Sequence, residues 1–138
     1  MASQRGTSSR STPERPVMTS ATHRSGTDRA AELARALDAT VLINIQGDEP
    51  LIRPEQIDQL AEFLEAHQAV PMATLRVAIT RREDLDSPHV VKVVVDRDGY
   101  ALYFSRSPIP YVRPDGKPKP SPAYKHIGLY GYQRHFLL

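Results

Sequence analysis

Cysteine and tryptophan are both missing from this chain of 138 residues, and no apolar run is long. The lack of cysteine excludes a disulfide framework and a thiolate metal site, and it is compatible with a reducing cytoplasm. A membrane-spanning helix needs about 20 consecutive apolar residues, and the sequence offers no such run. We therefore expect a cytoplasmic protein with no membrane partner.

A strong charge of one sign is also missing, because 18 Lys and Arg residues face 16 Asp and Glu residues, for a net charge of +2. Several of the arginines lie within the first two dozen residues. Such a balance is too weak to indicate a nucleic-acid partner, and a basic tail that bound nucleic acid would lose affinity steeply with salt. We expect small-molecule partners and no nucleic acid.

The first 16 residues differ in composition from the rest of the chain. They are rich in Ser, Thr and Arg and lack apolar periodicity, so we predict that residues 1–16 are disordered and that 17–138 form one domain. A basic segment poor in acidic residues also resembles an organelle transit peptide, although it shows no clear amphipathic helix.

The spacing of apolar residues after Val17 predicts alternating strands and helices. The predicted elements are a short strand at 17–19, a helix capped by Ser25 or Thr27, a strand at 41–45, a helix from Pro54 to about His67, and strands at 72–79, 90–95, 100–104 and 126–132. The apolar run at 41–45 is typical of a strand covered on both faces, as in a parallel α/β sheet. The turn at 96–99 predicts a β-hairpin that extends this sheet, and loops are expected at 81–88 and 108–122.

Polar side chains follow the strand at 41–45, where Gln46, Gly47, Asp48, Glu49 and Pro50 end it. In open α/β sheets, ligands bind beyond the carboxyl ends of the strands. A carboxylate at this place can hold a metal ion, so Asp48 is the first candidate. For an arbitrary turn of this kind, the more common interpretation is that the acids solvate a loop or begin a helix.

Four segments, in this order, resemble the sugar nucleotidyltransferase family of CMP-Kdo synthetases, where Kdo is 3-deoxy-D-manno-octulosonate. The segments are HRSGTDR at 23–29, NIQGDEP at 44–50, YALYFSRSPIP at 100–110 and HIGLYGY at 126–132. The resemblance implies an α/β fold, a Rossmann-like (GT-A-like) nucleotide-diphospho-sugar transferase with a mixed sheet and a β-hairpin extension, here incomplete.

The reaction that the resemblance implies is transfer of CMP from CTP to Kdo, with release of pyrophosphate, for lipopolysaccharide biosynthesis. It also implies Mg²⁺ as cofactor, bound by Asp48, and a homodimer for the full-length family. Mg²⁺ suits a carboxylate that shares it with phosphate oxygens and water, and phosphoryl-type transfer depends on alignment and charge neutralisation.

The resemblance assigns roles to individual residues of this sequence. The positions matching substrate-binding residues are Arg24, Ser25, Gly26, Thr27, Arg29, Ser105, Arg106, His126 and Tyr130, and those matching catalytic residues are Gln46 and Asp48. Each position has a plainer alternative. Ser25 can be an ordinary helix cap, Arg29 can pair with Glu32, Arg106 can be a surface arginine, and Tyr130 can pack in the core.

Two parts of the family pattern are not found in this sequence. These are the N-terminal loop that holds the CTP phosphates, and a C-terminal region with a dimer-forming segment and a second acid for the metal. We therefore expect a central fragment that binds Mg-CTP poorly, turns over negligibly and exposes sheet edges. The alternatives are a CMP-sugar synthetase for a sialic-acid-like substrate, and a non-catalytic binding or assembly module.

Overall fold

The computed structural model describes residues 17–47, 51–111 and 123–138. Predictions for the first 16 residues, for Asp48, Glu49 and Pro50, and for the proline-rich segment at 112–122 lie outside these ranges. The elements are α1 (Gly26–Ala36), β1 (Val41–Ile45), α2 (Pro54–Ala66), β2 (Met72–Ala78), α3 (Arg82–Asp86), β3 (Lys92–Val95), β4 (Ala101–Ser105), β5 (Tyr124–Gln133) and α4 (Arg134–Leu137). None of the helices in these ranges combines the length and the apolar character of a membrane span.

The last strand, β5, is the centre of a five-stranded sheet in the order β1-β5-β3-β4, with β2 also paired to β5. All strand pairs in the described ranges are antiparallel. Since β1 and β2 both oppose β5, they run in the same direction, one on each side of it. The predicted strand-helix-strand unit is therefore confirmed, but the parallel pairing expected for the strand at 41–45 is wrong because β5 is inserted between β1 and β2.

One face of β5 is closed by α2, which begins with Pro54 at its first turn and buries Leu60 and Leu64. A proline suits this position because its missing N–H would have no partner inside the helix. The helix lies so close to the strand that a Cβ atom at Gly131 would be 2.4 Å from Leu64 Cδ1. Only glycine allows this approach.

The opposite face of β5 meets the start of α1. Side chains alternate along a strand, so Tyr130 and Tyr132 project away from the side on which Gly131 meets α2. Thr27 in the first turn of α1 has its hydroxyl oxygen 3.3 Å from the phenol oxygen of Tyr132. We call this side of β5, which carries His126, Tyr130 and Tyr132, the site face.

Two local predictions are wrong. Residues 17–19 are not a strand, and the guanidinium of Arg29 donates a hydrogen bond to the hydroxyl of Thr19 there. The loop predicted at 81–88 contains α3, which buries Leu85 and carries an Arg82–Asp86 ion pair at 2.7 Å. The strand predicted at 72–79 is present as Met72–Ala78; its pairing with β5 shifts register after Thr74, and Val77 is exposed.

The hairpin predicted at 96–99 is confirmed. Asp96 Oδ1 accepts hydrogen bonds from the backbone N–H groups of Asp98, at 3.0 Å, and Tyr100, at 2.8 Å. Gly99 has a φ of 92°, a conformation that glycine adopts without steric cost. The strands β3 and β4 therefore leave the turn as an antiparallel pair.

The loop before α1 is fastened to the helix by Glu32. Its carboxylate contacts His23 Nε2 and accepts a hydrogen bond from the backbone N–H of Ser20, at 3.1 Å. These interactions, the His23 hydrogen bond first, hold the pKa of Glu32 below its ordinary value of 4.5. The loop that carries Arg24 thus depends on an ionised Glu32.

We expect Gly131→Ala to lower the free energy of unfolding by about 1–3 kcal/mol, because the new methyl group would overlap Leu64 and force a shift in the core. Urea unfolding followed by circular dichroism measures the change. Gly47→Ala is the matched control, since a Cβ atom there meets none of the described residues within 4 Å, and it should stay within about 0.5 kcal/mol. Equal effects of the two changes would contradict the packing described for α2.

A second prediction concerns acid. A carboxyl whose pKa is lowered by folding contributes stability above its unfolded pKa and loses it as the pH falls through the folded pKa. We expect the stability difference between wild type and Glu32→Gln to shrink as the pH falls below the ordinary value of 4.5, measured by thermal unfolding. Glu62→Gln on the exposed side of α2 controls for the loss of one negative charge. A difference that did not change with pH would refute the role of Glu32.

Candidate active site

The site face of β5 lies between the two strands that flank it. Tyr130 is in register with Asn44 of β1 on one side and with Thr74 of β2 on the other. Directly opposed residues of antiparallel strands project from the same face. Tyr130 is therefore set among polar side chains from three strands.

His126 has its ring fixed by three neighbours. Its Nε2 lies 2.8 Å from Thr74 Oγ1, its ring meets Phe104 edge-on at 5.1 Å, and it lies 5.3 Å from the ring of Tyr130. The Thr74 hydroxyl also lies 3.1 Å and 2.7 Å from the carbonyl oxygens of Ile127 and Leu129. Because a hydroxyl has one hydrogen, which a carbonyl takes here, Thr74 accepts from an Nε2–H of His126.

Tyr130 is half-buried on this face. Burial, with a smaller contribution from Tyr132, raises the pKa of the Tyr130 phenol above its ordinary value of 10.0. The phenol is therefore protonated at neutral pH and can donate a hydrogen bond. Tyr132 is buried, so the core-packing alternative describes Tyr132 better than Tyr130.

The start of α1 adjoins the end of β1. A Cβ atom at Gly26 would lie 3.2 Å from Asn44 Nδ2, so a larger residue would press on the strand. Ser25 is the N-cap of the helix, and its hydroxyl accepts from the backbone N–H of Asp28 at 3.1 Å. Ser25 is therefore a helix cap, which is the plainer of the two interpretations given for it. The helix N-terminus, which favours anions, begins beside the site face.

The two arginines predicted near this helix differ in their contacts. Arg24 is exposed in the loop that precedes α1. Arg29 donates to the Thr19 hydroxyl, whereas the carboxylate of Glu32 is engaged by His23 and Ser20. The ion pair proposed as the alternative for Arg29 is therefore replaced by a hydrogen bond to the loop.

Gln46 is exposed and follows Ile45, which is in register with Leu129 of β5. It therefore leaves β1 beside the middle of β5, close in sequence to both Asn44 and the turn that follows. Asp48, the predicted metal ligand, lies outside the described residues. Within the described ranges, no group of three or more His, Asp or Glu side chains could hold a metal ion.

Ser105 and Arg106 lie at the end of the edge strand β4, which β3 separates from β5. The Ser105 hydroxyl accepts from the backbone N–H of Ser107 at 2.9 Å, and Arg106 Nη1 donates to the carbonyl of Pro88 at 2.8 Å. Their neighbour Phe104 supplies the link to the site face through its contact with His126.

Sequence reasoning missed several residues that build this region. Thr74, Phe104 and Asn44 orient or border His126 and Tyr130, and nothing in their own spacing distinguishes them from ordinary strand residues. Lys92 is fully buried at 0% exposure, and its signal was available as the one charged side chain within the apolar run at 90–95.

A concavity of about 690 Å³ lies at the other end of β1. It is bordered by residues near the start of β1, such as Asp38 and Thr40, and by Arg134 and Leu138 at the end of the chain. None of the predicted site residues lines it. This concavity and the predicted site residues therefore lie at different ends of β1. We assign the candidate site to the site face because polar groups from four elements meet there.

The chain is similar to known cytidylyltransferases. A family model described as cytidylyltransferase matches residues 14–137. The 3-deoxy-manno-octulosonate cytidylyltransferase of Trichlorobacter lovleyi is 48% identical over 130 residues, covering 88% of this chain and 52% of the relative. That of Geobacter metallireducens is 50% identical over 132 residues, covering 90% and 52%. The chain spans about half the length of these curated relatives.

A solved structure of CMP:2-keto-3-deoxy-manno-octonic acid synthetase complexed with CTP matches with a TM-score of 0.75 and 45% sequence identity. The match covers 88% of this chain and 48% of that one. The resemblance drawn from four sequence segments and the predicted fold class are thus confirmed, with the sheet antiparallel in the described ranges. Because the family model matches nearly the whole length of this chain, the chain belongs to the cytidylyltransferase family.

Proposed function

We propose that this chain binds Kdo and contributes to the transfer of CMP from CTP to Kdo, with release of pyrophosphate, for lipopolysaccharide biosynthesis in the cytoplasm. The observation that carries the proposal is the site face, where Tyr130 is flanked by Asn44 of β1 and Thr74 of β2, and His126 is hydrogen-bonded to Thr74. The relatives named for this reaction, at 48% and 50% identity, support the same assignment.

In this reaction a hydroxyl of the sugar acid attacks the α-phosphorus of CTP, the bond to the β-phosphate oxygen breaks, and pyrophosphate leaves. The protein forms no covalent bond, so its contribution is to align the two substrates and to neutralise charge. In the proposal, Tyr130 and Gln46 offer hydrogen bonds to the sugar acid. Arg24 and Arg29, at the N-terminus of α1, attract its carboxylate or a phosphate.

Mg²⁺ belongs to the proposal through Asp48. Mg²⁺ prefers oxygen ligands and commonly binds through one or two carboxylates together with substrate phosphates and water. A carboxylate after β1 fits that donor set, and the described residues contain no group of three or more His, Asp or Glu side chains that could hold a metal ion. When bound, the ion would neutralise phosphate charge. A homodimer of the full-length protein is part of the same proposal.

Isothermal titration calorimetry of the chain with Kdo, in the presence of Mg²⁺, tests the proposed substrate. We expect saturable binding of Kdo and at least about tenfold weaker binding of N-acetylneuraminate, because the polar groups of the site face should discriminate between the two sugar acids. The same titration with Mg-CTP, together with an assay of pyrophosphate release, tests the expectation that this chain alone turns over negligibly.

The proposal is refuted if a folded chain, judged by circular dichroism, binds no Kdo at millimolar concentration. Preference for N-acetylneuraminate would instead favour the sialic-acid-like alternative. Rapid pyrophosphate release would contradict the expectation of negligible turnover.

We also expect His126→Gln to weaken Kdo binding by about ten- to hundredfold, because it removes the ring that Thr74 and Phe104 hold beside Tyr130. His89→Gln is the matched control, since His89 is exposed in the turn before β3 and has no predicted role. Calorimetry gives the affinities, and thermal unfolding shows whether both variants remain folded. Equal affinities of the two variants would exclude His126 from the binding site.

A further inference from the structure

Lys92 is the most unusual side chain in the described part of the sheet, because it is charged and has 0% exposure. It is the first residue of β3, in register with Ser105 of β4 and with Lys125 of β5. Lysine is almost never fully buried unless its charge is compensated. The groups that compensate the charge of Lys92 therefore indicate what this residue does.

All three ammonium hydrogens of Lys92 have main-chain acceptors. Nζ donates to the carbonyl of Ser87 at 2.8 Å, to that of Val90 at 2.7 Å, and to that of Arg106. The first two belong to the turn at 87–90, and the third lies at the end of β4. One buried cation thus joins the turn at 87–90 to the end of β4, where Arg106 lies 14 residues after Lys92.

The charge is costly at this place. Burial lowers the pKa of Lys92, the charge of Asp86 opposes that effect, and the nearby Arg106 adds to it. A methionine of similar volume would avoid the cost of the charge, but it would leave the carbonyls of Ser87, Val90 and Arg106 without this donor. The ammonium therefore contributes geometry that apolar packing would not supply.

Arg106 is held at both its carbonyl and its side chain. Its carbonyl accepts from Lys92, and its own guanidinium donates to the carbonyl of Pro88 at 2.8 Å. Both ends of the residue are therefore tied to the turn at 87–90. Only part of the guanidinium is used by Pro88, since an arginine has five N–H donors. The two contacts therefore hold the main chain and the guanidinium of Arg106 beside the turn at 87–90.

We propose that Lys92 is a positioning residue for Arg106, whose carbonyl it ties to the turn at 87–90 so that the guanidinium is presented to an anionic group of the sugar-acid substrate. This inference rests on the proposed function for the identity of the substrate. The tie itself rests on the contacts of Lys92 alone.

The experiment compares Lys92→Met with Lys125→Met. Lys125 is the matched control because it is the register partner of Lys92 on β5, yet its side chain is 35% exposed and contacts Asp84 at 3.7 Å. Limited trypsin digestion followed by mass spectrometry measures cleavage after Arg106, with cleavage after Arg97 at the hairpin turn as an internal reference. Calorimetry measures the affinities for Kdo and for Mg-CTP.

We expect Lys92→Met to accelerate cleavage after Arg106 by about ten- to hundredfold relative to Arg97, because proteolysis follows the population of the opened segment. Kdo affinity should fall by about tenfold while any Mg-CTP affinity stays within about twofold, a split that general loss of structure would not produce. Lys125→Met should change neither quantity.

Unchanged cleavage after Arg106 in a folded Lys92→Met variant would overturn the tie, and unchanged Kdo affinity despite faster cleavage would overturn the positioning role. Absence of Kdo binding by the wild type would contradict the proposed function, and the cleavage rates would still decide the tie.

If Lys92→Met does not fold, nuclear magnetic resonance of the wild type decides the same question. The Lys92 ammonium should exchange slowly with water and show couplings across hydrogen bonds to the carbonyls of Ser87, Val90 and Arg106. A rapidly exchanging ammonium without those couplings would overturn the proposal.

Discussion

The close contact between α2 and β5 at Gly131 is the constraint on which the other features depend. It fixes which side of β5 is closed by the helix, since a side chain at this position would overlap Leu64. The period of two along a strand then decides that Tyr130 and Tyr132 project from the other side. Polar chemistry collects there because that face is bordered by Asn44, Thr74 and the start of α1, and no helix covers Tyr130 completely.

The predicted site consists of groups held by different means. His126 is oriented by side chains of neighbouring strands, the first turn of α1 by the Ser25 cap and the loop pinned to Glu32, and Arg106 by a buried ammonium on the next strand pair. The Ser25 cap and the Glu32 contacts are local, whereas the contacts of His126 and Arg106 join strands that lie apart in the sequence. The site therefore depends on the assembled sheet, in which β5 pairs with β1, β2 and β3.

Local features of the fold could be predicted from the sequence because their causes are local. Pro54 opens α2, Ser25 caps α1, and Gly99 turns the hairpin, each through the conformation or hydrogen bonds of a few adjacent residues. The antiparallel pairing of β1 could not be predicted, because its partner β5 lies about ninety residues later and the same apolar run suits either direction. The register shift after Thr74 likewise depends on a neighbour and not on the alternation of β2 itself.

The candidate residues came from the resemblance and not from their own spacing. The structure brings Gly26 to Asn44, Thr27 to Tyr132 and Tyr130 to His126 through long-range contacts, whereas Asp48 lies outside the described residues. Lys92 was overlooked because a lysine in a strand is normally solvated, and only the fold places three carbonyls around it.

The most direct test of the central claim is a titration of the isotope-labelled chain with Kdo, followed by the chemical shifts of its backbone amides. We predict that the changes concentrate on His126, Tyr130 and the first turn of α1, on the site face. Changes concentrated instead around Thr40, Arg134 and Leu138, at the concavity of about 690 Å³, would contradict the account.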